Sequence, residues 1–303
     1  MELTLGPVLF EWKREELLSF YDEVAEMDVD RVYVGEVLCT KKLGLTKEDA
    51  PVIIKRLESA GKKVTLSSLA IVSNDEEIDY TRSIIDMHSS IEANDMSVLN
   101  MIDMTAKEVV AGPHITSYNA PSIDFLKDCG VKRVVFPVEL PRSSMAYNMQ
   151  HSALPAEIFA HGKAPLAFSW RCYASRAHGL TRAECRHHCA RYPDGLDLKS
   201  MDGVSVFSIS GTSILSASVY TLIEYVDELR ADGAGALRIS PQKNGTARVV
   251  KIFRDRMNGR IDAAEALRGL RETLPEGADV CNGWYRGKAG KDYLAALDNS
   301  AVT

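Results

Sequence analysis

Short apolar runs alternate along this chain with stretches whose apolar residues recur at helical spacing. The first run, Glu2–Leu5, closes at Gly6-Pro7. A predicted helix from Lys13 to about Met27 follows, with Leu17, Leu18, Tyr21 and Val24 on one face. The next strands are Arg31–Val34, Lys63–Ser67, Ser89–Glu92, Glu108–Ala111, Arg133–Phe136 and Ala156–His161, and an eighth is Ala236–Ile239. Helices are predicted between them at Ala50–Ala60, Asp75–Met87, Met96–Met101, Ile123–Cys129 and Arg142–Gln150, and after the last strand at Thr246–Met257. Eight strands alternating with helices match a TIM-like (β/α)8 barrel, for which roughly 250 residues is typical. A doubly wound sheet is the rival, and eight units favour closure.

The stretch from about Leu166 to Gly235 breaks the alternation and is read as an insertion between strands seven and eight. It holds three cysteines, a hairpin-like Leu198–Ile209 turning at Met201-Asp202-Gly203, and a predicted amphipathic helix, Ile214–Leu229. The tail, 261–290, is predicted as a helix over Ile261–Leu274 and a Gly-rich loop over Cys281–Gly290. No low-complexity linker divides the 303 residues, so a single domain is expected. In a barrel, polar residues after the strands converge on one mouth. Glu36, His114, Asn119, Glu139 and His161 are the candidates there, the first four for catalysis.

At 46% hydrophobic and 26% charged residues, the chain has a globular composition. A net charge of −6 gives no bulk attraction for nucleic acid. No apolar run reaches membrane-spanning length, and the N-terminus lacks the pattern of a signal peptide. A cytoplasmic protein is expected, in which clustered cysteines point to metal or redox chemistry rather than disulfides.

Of the six cysteines, Cys172, Cys185 and Cys189 lie close together in sequence. The Cys185–Cys189 spacing places both thiols on one helix face, if that segment is helical. Cys39, just after the second strand, is the best fourth ligand, because it lies on the face where the insertion emerges. Four thiolates suit either zinc or an iron–sulfur cluster. Cys129, at a helix end, reads as core filling, and Cys281 has no nearby ligand partner in sequence. His187 and His188 are read as neighbours of the site or exposed, not ligands. Nucleophile-elbow, His-Glu-x-x-His, P-loop, dinucleotide-binding and radical-SAM cysteine motifs are all absent from the sequence.

The run Gly35-Glu36-Val37-Leu38-Cys39, Asn119, Glu139 and the Cys172/Cys185/Cys189 group resemble the collagenase-like peptidase family of barrel proteins, across essentially the whole chain. The likeness is greatest to members that serve ubiquinone biosynthesis without O2. It implies a [4Fe–4S] cluster on Cys39, Cys172, Cys185 and Cys189, rather than zinc, and a role in quinone-ring hydroxylation. It also implies a UbiU-like homologous subunit as heterodimer partner, a UbiT-like lipid-binding protein, a quinone precursor as substrate and prephenate as an oxygen source. A peptidase using Glu36, His114 and Glu139, or an RNA-hydroxylating enzyme, is the alternative within the same family.

Overall fold

The computed structural model describes residues 1–42, 44–46, 48–275 and 278–296. In chain order the strands are β1 (Glu2–Leu5), β2 (Arg31–Val34), β3 (Lys63–Ser67), β4 (Ser90–Ala93), β5 (Glu108–Ala111), β6 (Arg133–Val135), β7 (Ala156–Phe168), β8 (Leu196–Lys199), β9 (Ser205–Ser210), β10 (Ser213–Thr221), β11 (Ala236–Ile239) and β12 (Val280–Cys281). β1 through β7 and then β11 pair in parallel, and β11 pairs back onto β1, closing an eight-stranded barrel. Helices α1 (Arg14–Glu26), α2 (Asp49–Ser59), α3 (Asp75–Met87), α4 (Met96–Met101), α5 (Ala120–Asp128) and α6 (Arg142–His151) connect the strands. Helix α9 (Thr246–Met257) follows β11.

Both faces of the barrel strands are buried, with different chemistry on each. Leu3 and Leu5, Val32 and Val34, Val64 and Leu66, and Leu237 and Ile239 face the helices in one large apolar core. The residues between them are Thr4, Tyr33, Thr65 and Arg238, which by the two-residue period point inward. The interior is therefore largely polar, with a small apolar group of Tyr33, Val110 and Val135.

An ion network fills the middle of the barrel. Arg238 donates from Nε to Glu157 and from Nη1 to Glu92, both at 2.6 Å. Its guanidinium lies over the Tyr33 ring at 4.0 Å, and the Tyr33 hydroxyl donates to Glu157 at 2.7 Å. Thr4 and Arg133 also donate to Glu157, and Ser67 donates to Glu92 at 2.6 Å. Two carboxylates thus face two guanidinium groups, the condition under which buried charge is tolerated.

Between β7 and β11 the sequence reading needs correction. Residues expected as the helix Ile214–Leu229 instead form β10, and only Val226–Asp232 is helical (α8). A turn through Gly211, at φ +57°, brings β10 back along β9, and β10 also pairs antiparallel with the outer half of β7. With backbone partners on both sides, a segment rich in serine and β-branched residues gains more as a strand than as a helix. β7 for the same reason runs on to Phe168, well past its expected end at His161. The expected hairpin is present as β8 and β9, with Ser200 and Gly203 bonded in its turn. In the tail, α10 (Ala263–Arg271) is shorter than expected, and β12 extends the sheet beside β10 where a loop was read.

Replacing Arg238 by Met should destabilise the fold by roughly 3–5 kcal/mol in urea unfolding, because it takes from buried Glu92 its ion-pair partner and leaves Glu157 with Arg133 alone. Burial opposes the charge of Glu157, yet Arg238 and Arg133 outweigh it and hold its pKa at about 2 against 4.5 in the unfolded chain. A depressed acid stabilises the folded state above its unfolded pKa. That contribution is therefore complete above pH 4.5 and is lost as pH falls toward 2. Acid titration of Glu157→Gln should lack this component.

Candidate functional site

Cys39 sits in the loop that leaves β2. That loop begins at Gly35, where φ is +138° and a Cβ would lie 2.6 Å from the Ser67 carbonyl oxygen, so only glycine fits. The loop is pinned by Ala70, whose amide donates to the Val37 carbonyl, and by Thr212, whose hydroxyl donates to the Leu38 carbonyl at 3.0 Å. Thr212 belongs to the β9–β10 turn, so the segment after β7 packs directly beside Cys39. Lys41 reinforces this contact by donating to the Arg182 carbonyl at 3.2 Å.

The other three cysteines lie in that segment. Cys172 is the N-cap of α7 (Tyr173–Ala177), and its Sγ accepts from the Ser175 amide at 3.4 Å. Cys185 Sγ accepts from the His187 amide at 3.4 Å. The expected helix carrying Cys185 and Cys189 does not form. Cys185–His187 is irregular, His187 has a left-handed backbone at φ 53°, and only His188–Arg191 makes a 3-10 turn. The physical reason is local: the His187 amide turns back to the sulfur instead of entering a helical ladder.

Burial raises the pKa of Cys39, opposed by the Lys41 amide, Arg182 and Lys42. Burial also pushes Cys189 up to about 12, reinforced by Glu11, Cys172 and Cys185 and opposed by Lys42. Cys189 therefore lies within electrostatic reach of Cys172 and Cys185, and Lys42 within reach of both Cys39 and Cys189. The Lys42 side chain is only 4% exposed and pairs with Glu36 at 3.0 Å. Among the described residues, no three His, Cys, Asp or Glu side chains are already placed around one metal position. Coordination would require the thiols to turn toward a common point.

The remaining candidates separate. Glu36 belongs to the Lys42 pair beside the thiols. Asn119 is exposed and caps α5, accepting from the Ser122 amide at 3.0 Å. His114 lies edge-on to Phe168 at 4.7 Å and shares a cavity with Glu139, which accepts from the Tyr118 hydroxyl. His161 is buried, with burial alone lowering its pKa to about 3. Cys129 is only half-buried at the end of α5, contrary to the core-filling role expected of it, whereas Cys281 lies in the core on β12. His188 stacks on His178 with ring centroids 3.9 Å apart.

The interior residues Arg238 and Glu157 were missed in the sequence. Their signal is a charged residue flanked on both sides by apolar ones within a strand, as in Leu237-Arg238-Ile239.

Residues 18–293 match the family model described as Peptidase family U32. The chain belongs to peptidase family U32. The U32 peptidase Mk0906 is a structural neighbour at 11% identity, covering 80% of this chain and 93% of that one, with a TM-score of 0.46. The tryptophan synthase complex from Pyrococcus furiosus overlaps at 11% identity, covering 90% of this chain and 95% of that one, with a TM-score of 0.44. No helix of this U32 chain, among the described residues, is long and apolar enough to cross a membrane.

Burial, with Arg238 nearby, lowers the pKa of His114 to about 4 from 6.5. The imidazole is then neutral at pH 6 in the folded protein. The unfolded chain takes up this proton first, so folded stability falls as pH drops from 6.5 toward 4. Nitrogen-15 histidine NMR should show His114 half-titrated near pH 4, and a midpoint near 6.5 would contradict this burial.

Proposed function

We propose that this U32-family chain holds a [4Fe–4S] cluster on Cys39, Cys172, Cys185 and Cys189. In this reading it works as a UbiV-like subunit in O2-independent hydroxylation of the quinone ring in ubiquinone biosynthesis. The observation that supports it is the packing of the Cys39 loop against the segment bearing the other three thiols. Backbone amides already bond to the sulfurs of Cys172 and Cys185, and the Lys41 amide supports that of Cys39.

Four soft sulfur donors suit such a group chemically. When bound, the cluster supplies one-electron transfer at a potential set by burial and by hydrogen bonds to sulfur. The chain's own residues provide both influences. The amides of Lys41, Ser175 and His187 orient the sulfurs and stabilise their negative charge. Lys42, held by Glu36, places a buried cation beside Cys39 and Cys189. The thiols must lose their protons on loading, so assembly is favoured as pH rises. A UbiU-like homologous subunit, a UbiT-like lipid-binding protein, a quinone precursor and prephenate as oxygen source complete this reading.

Anaerobically purified protein should be brown and carry about four irons per chain. Cys185→Ala should lose iron and melt at a lower temperature, since metal binding contributes folding free energy. A colourless, zinc-loaded protein, or a variant with unchanged iron and melting temperature, overturns the assignment.

The cavity shared by His114 and Glu139 favours a second reading, a hydrolase using this acid–base pair. Peptide cleavage that survives Cys185→Ala and disappears in Glu139→Gln would select it over the first.

A further inference from the structure

The antiparallel extension outside the barrel is patterned inside out. By their register, Leu196, Leu198, Phe207, Ile209 and Ile214 share one face of β8, β9 and β10. None of the five is buried, and Leu198 is 46% exposed. The opposite face carries Ser208, Ser210, Ser213 and Leu215, all buried, with the Ser210 hydroxyl donating to the Leu9 carbonyl at 2.6 Å. A sheet with one wet face normally buries its apolar side, whereas here the serines point inward. Leu198, Met201, Val204 and Val206, four of the eleven exposed large apolar side chains among the described residues, fall within this one hairpin. Such a concentration marks an interaction surface.

The backbone of the hairpin shows which way a partner must come. β8 is an edge of the sheet, with no strand beyond it among the described residues. Across the turn, the Ser200 amide donates to the Val204 carbonyl. By the two-residue period, the backbone groups of Leu198 also turn toward β9, so those of Asp197 and Lys199 face the open edge. Native edges are commonly protected by lysine or proline, which repel or obstruct a second strand. This edge instead carries one charge of each sign. Lys199 Nζ lies 3.7 Å from Asp197 Oδ2 within the strand, and the side chains are 57% and 47% exposed. A second β8 laid antiparallel and centred on Leu198 would set each Asp197 opposite Lys199 of the other copy. In that register the two residues exchange main-chain hydrogen bonds and bring opposite charges together. Centring on Asp197 or on Lys199 would oppose like charges. The Leu198 side chains meet at the two-fold axis, and the two apolar faces join into one.

We infer that β8 pairs with β8 of a second copy of this chain, antiparallel and centred on Leu198, to form a two-fold dimer with one continuous sheet. The occupant is a second copy because the charge pattern of the edge is its own complement. No cysteine takes part, so the inference stands apart from the proposed cluster.

Sedimentation velocity on the full chain across the micromolar range should show a species of twice 33.4 kDa that grows with concentration. Hydrogen exchange at the Asp197 and Lys199 amides should slow as that species forms. Asp197→Lys alone, and Lys199→Asp alone, each place like charges opposite one another and should weaken self-association by roughly tenfold or more. Mixing these two variants restores both opposite-charge pairs and should restore the dimer, as should the double exchange within one chain. Recovery on mixing also shows that each variant is folded. A chain that stays monomeric throughout overturns the inference. So does a dimer that survives Asp197→Lys unchanged, since its interface lies elsewhere, or a pair of weakened variants that do not associate on mixing.

Discussion

The charge balance inside the barrel is the constraint on which the rest of the structure depends. Glu92 from β4, Glu157 from β7 and Arg238 from β11 meet in a space with almost no access to water. An unpaired charge there would cost several kcal/mol, so each strand must hold the register that delivers its group to its partner. Thr4, Tyr33 and Arg133 bring β1, β2 and β6 into the same arrangement. A slip of one residue in any of these strands would turn a charge into the apolar layer beneath the helices. The network thus does for this barrel what interlocking aliphatic layers do in others, and it leaves polar groups available at the mouth.

The thiol-bearing segment is held differently. It stands outside the closed barrel on the antiparallel extension of β7, β10, β9 and β8, and most of its side chains are partly exposed. Its anchors are individual polar contacts: Thr212 to the Leu38 carbonyl, Lys41 to the Arg182 carbonyl, Trp12 to the Pro193 carbonyl at 2.7 Å, and the ion pair of Arg182 with Glu77. Such contacts each contribute modestly. A group bound by four thiolates would therefore contribute a large share of the local order.

The two regions meet through Glu36, Val37 and Leu38. Val37 lines the cavity above Arg238, while Glu36 steadies Lys42 beside the sulfurs. One short loop after β2 therefore borders both the thiol site and the barrel mouth.

The sequence by itself determined the eight β/α units, because each strand and helix of the barrel carries its own apolar period and its own turn residues. β1, β2, β3, β5 and β11 and helices α3, α4 and α9 match their expected ranges in full. It also marked the cysteines, whose spacing is unusual wherever the chain goes. Tertiary contacts, and a few local side-chain bonds that the apolar period does not record, decided the rest. Ser213–Thr221 became a strand because β9 and β7 offered backbone partners that local periodicity does not record. Cys185–His187 stayed irregular because an amide preferred sulfur to a helical ladder. Asn119, read as a catalytic candidate, also caps α5 through a bond to Ser122. The inward charges Glu157 and Arg238 escaped notice because a charge in a strand looks solvated until closure places its partner opposite, and those partners lie 81 and 146 positions away along the chain.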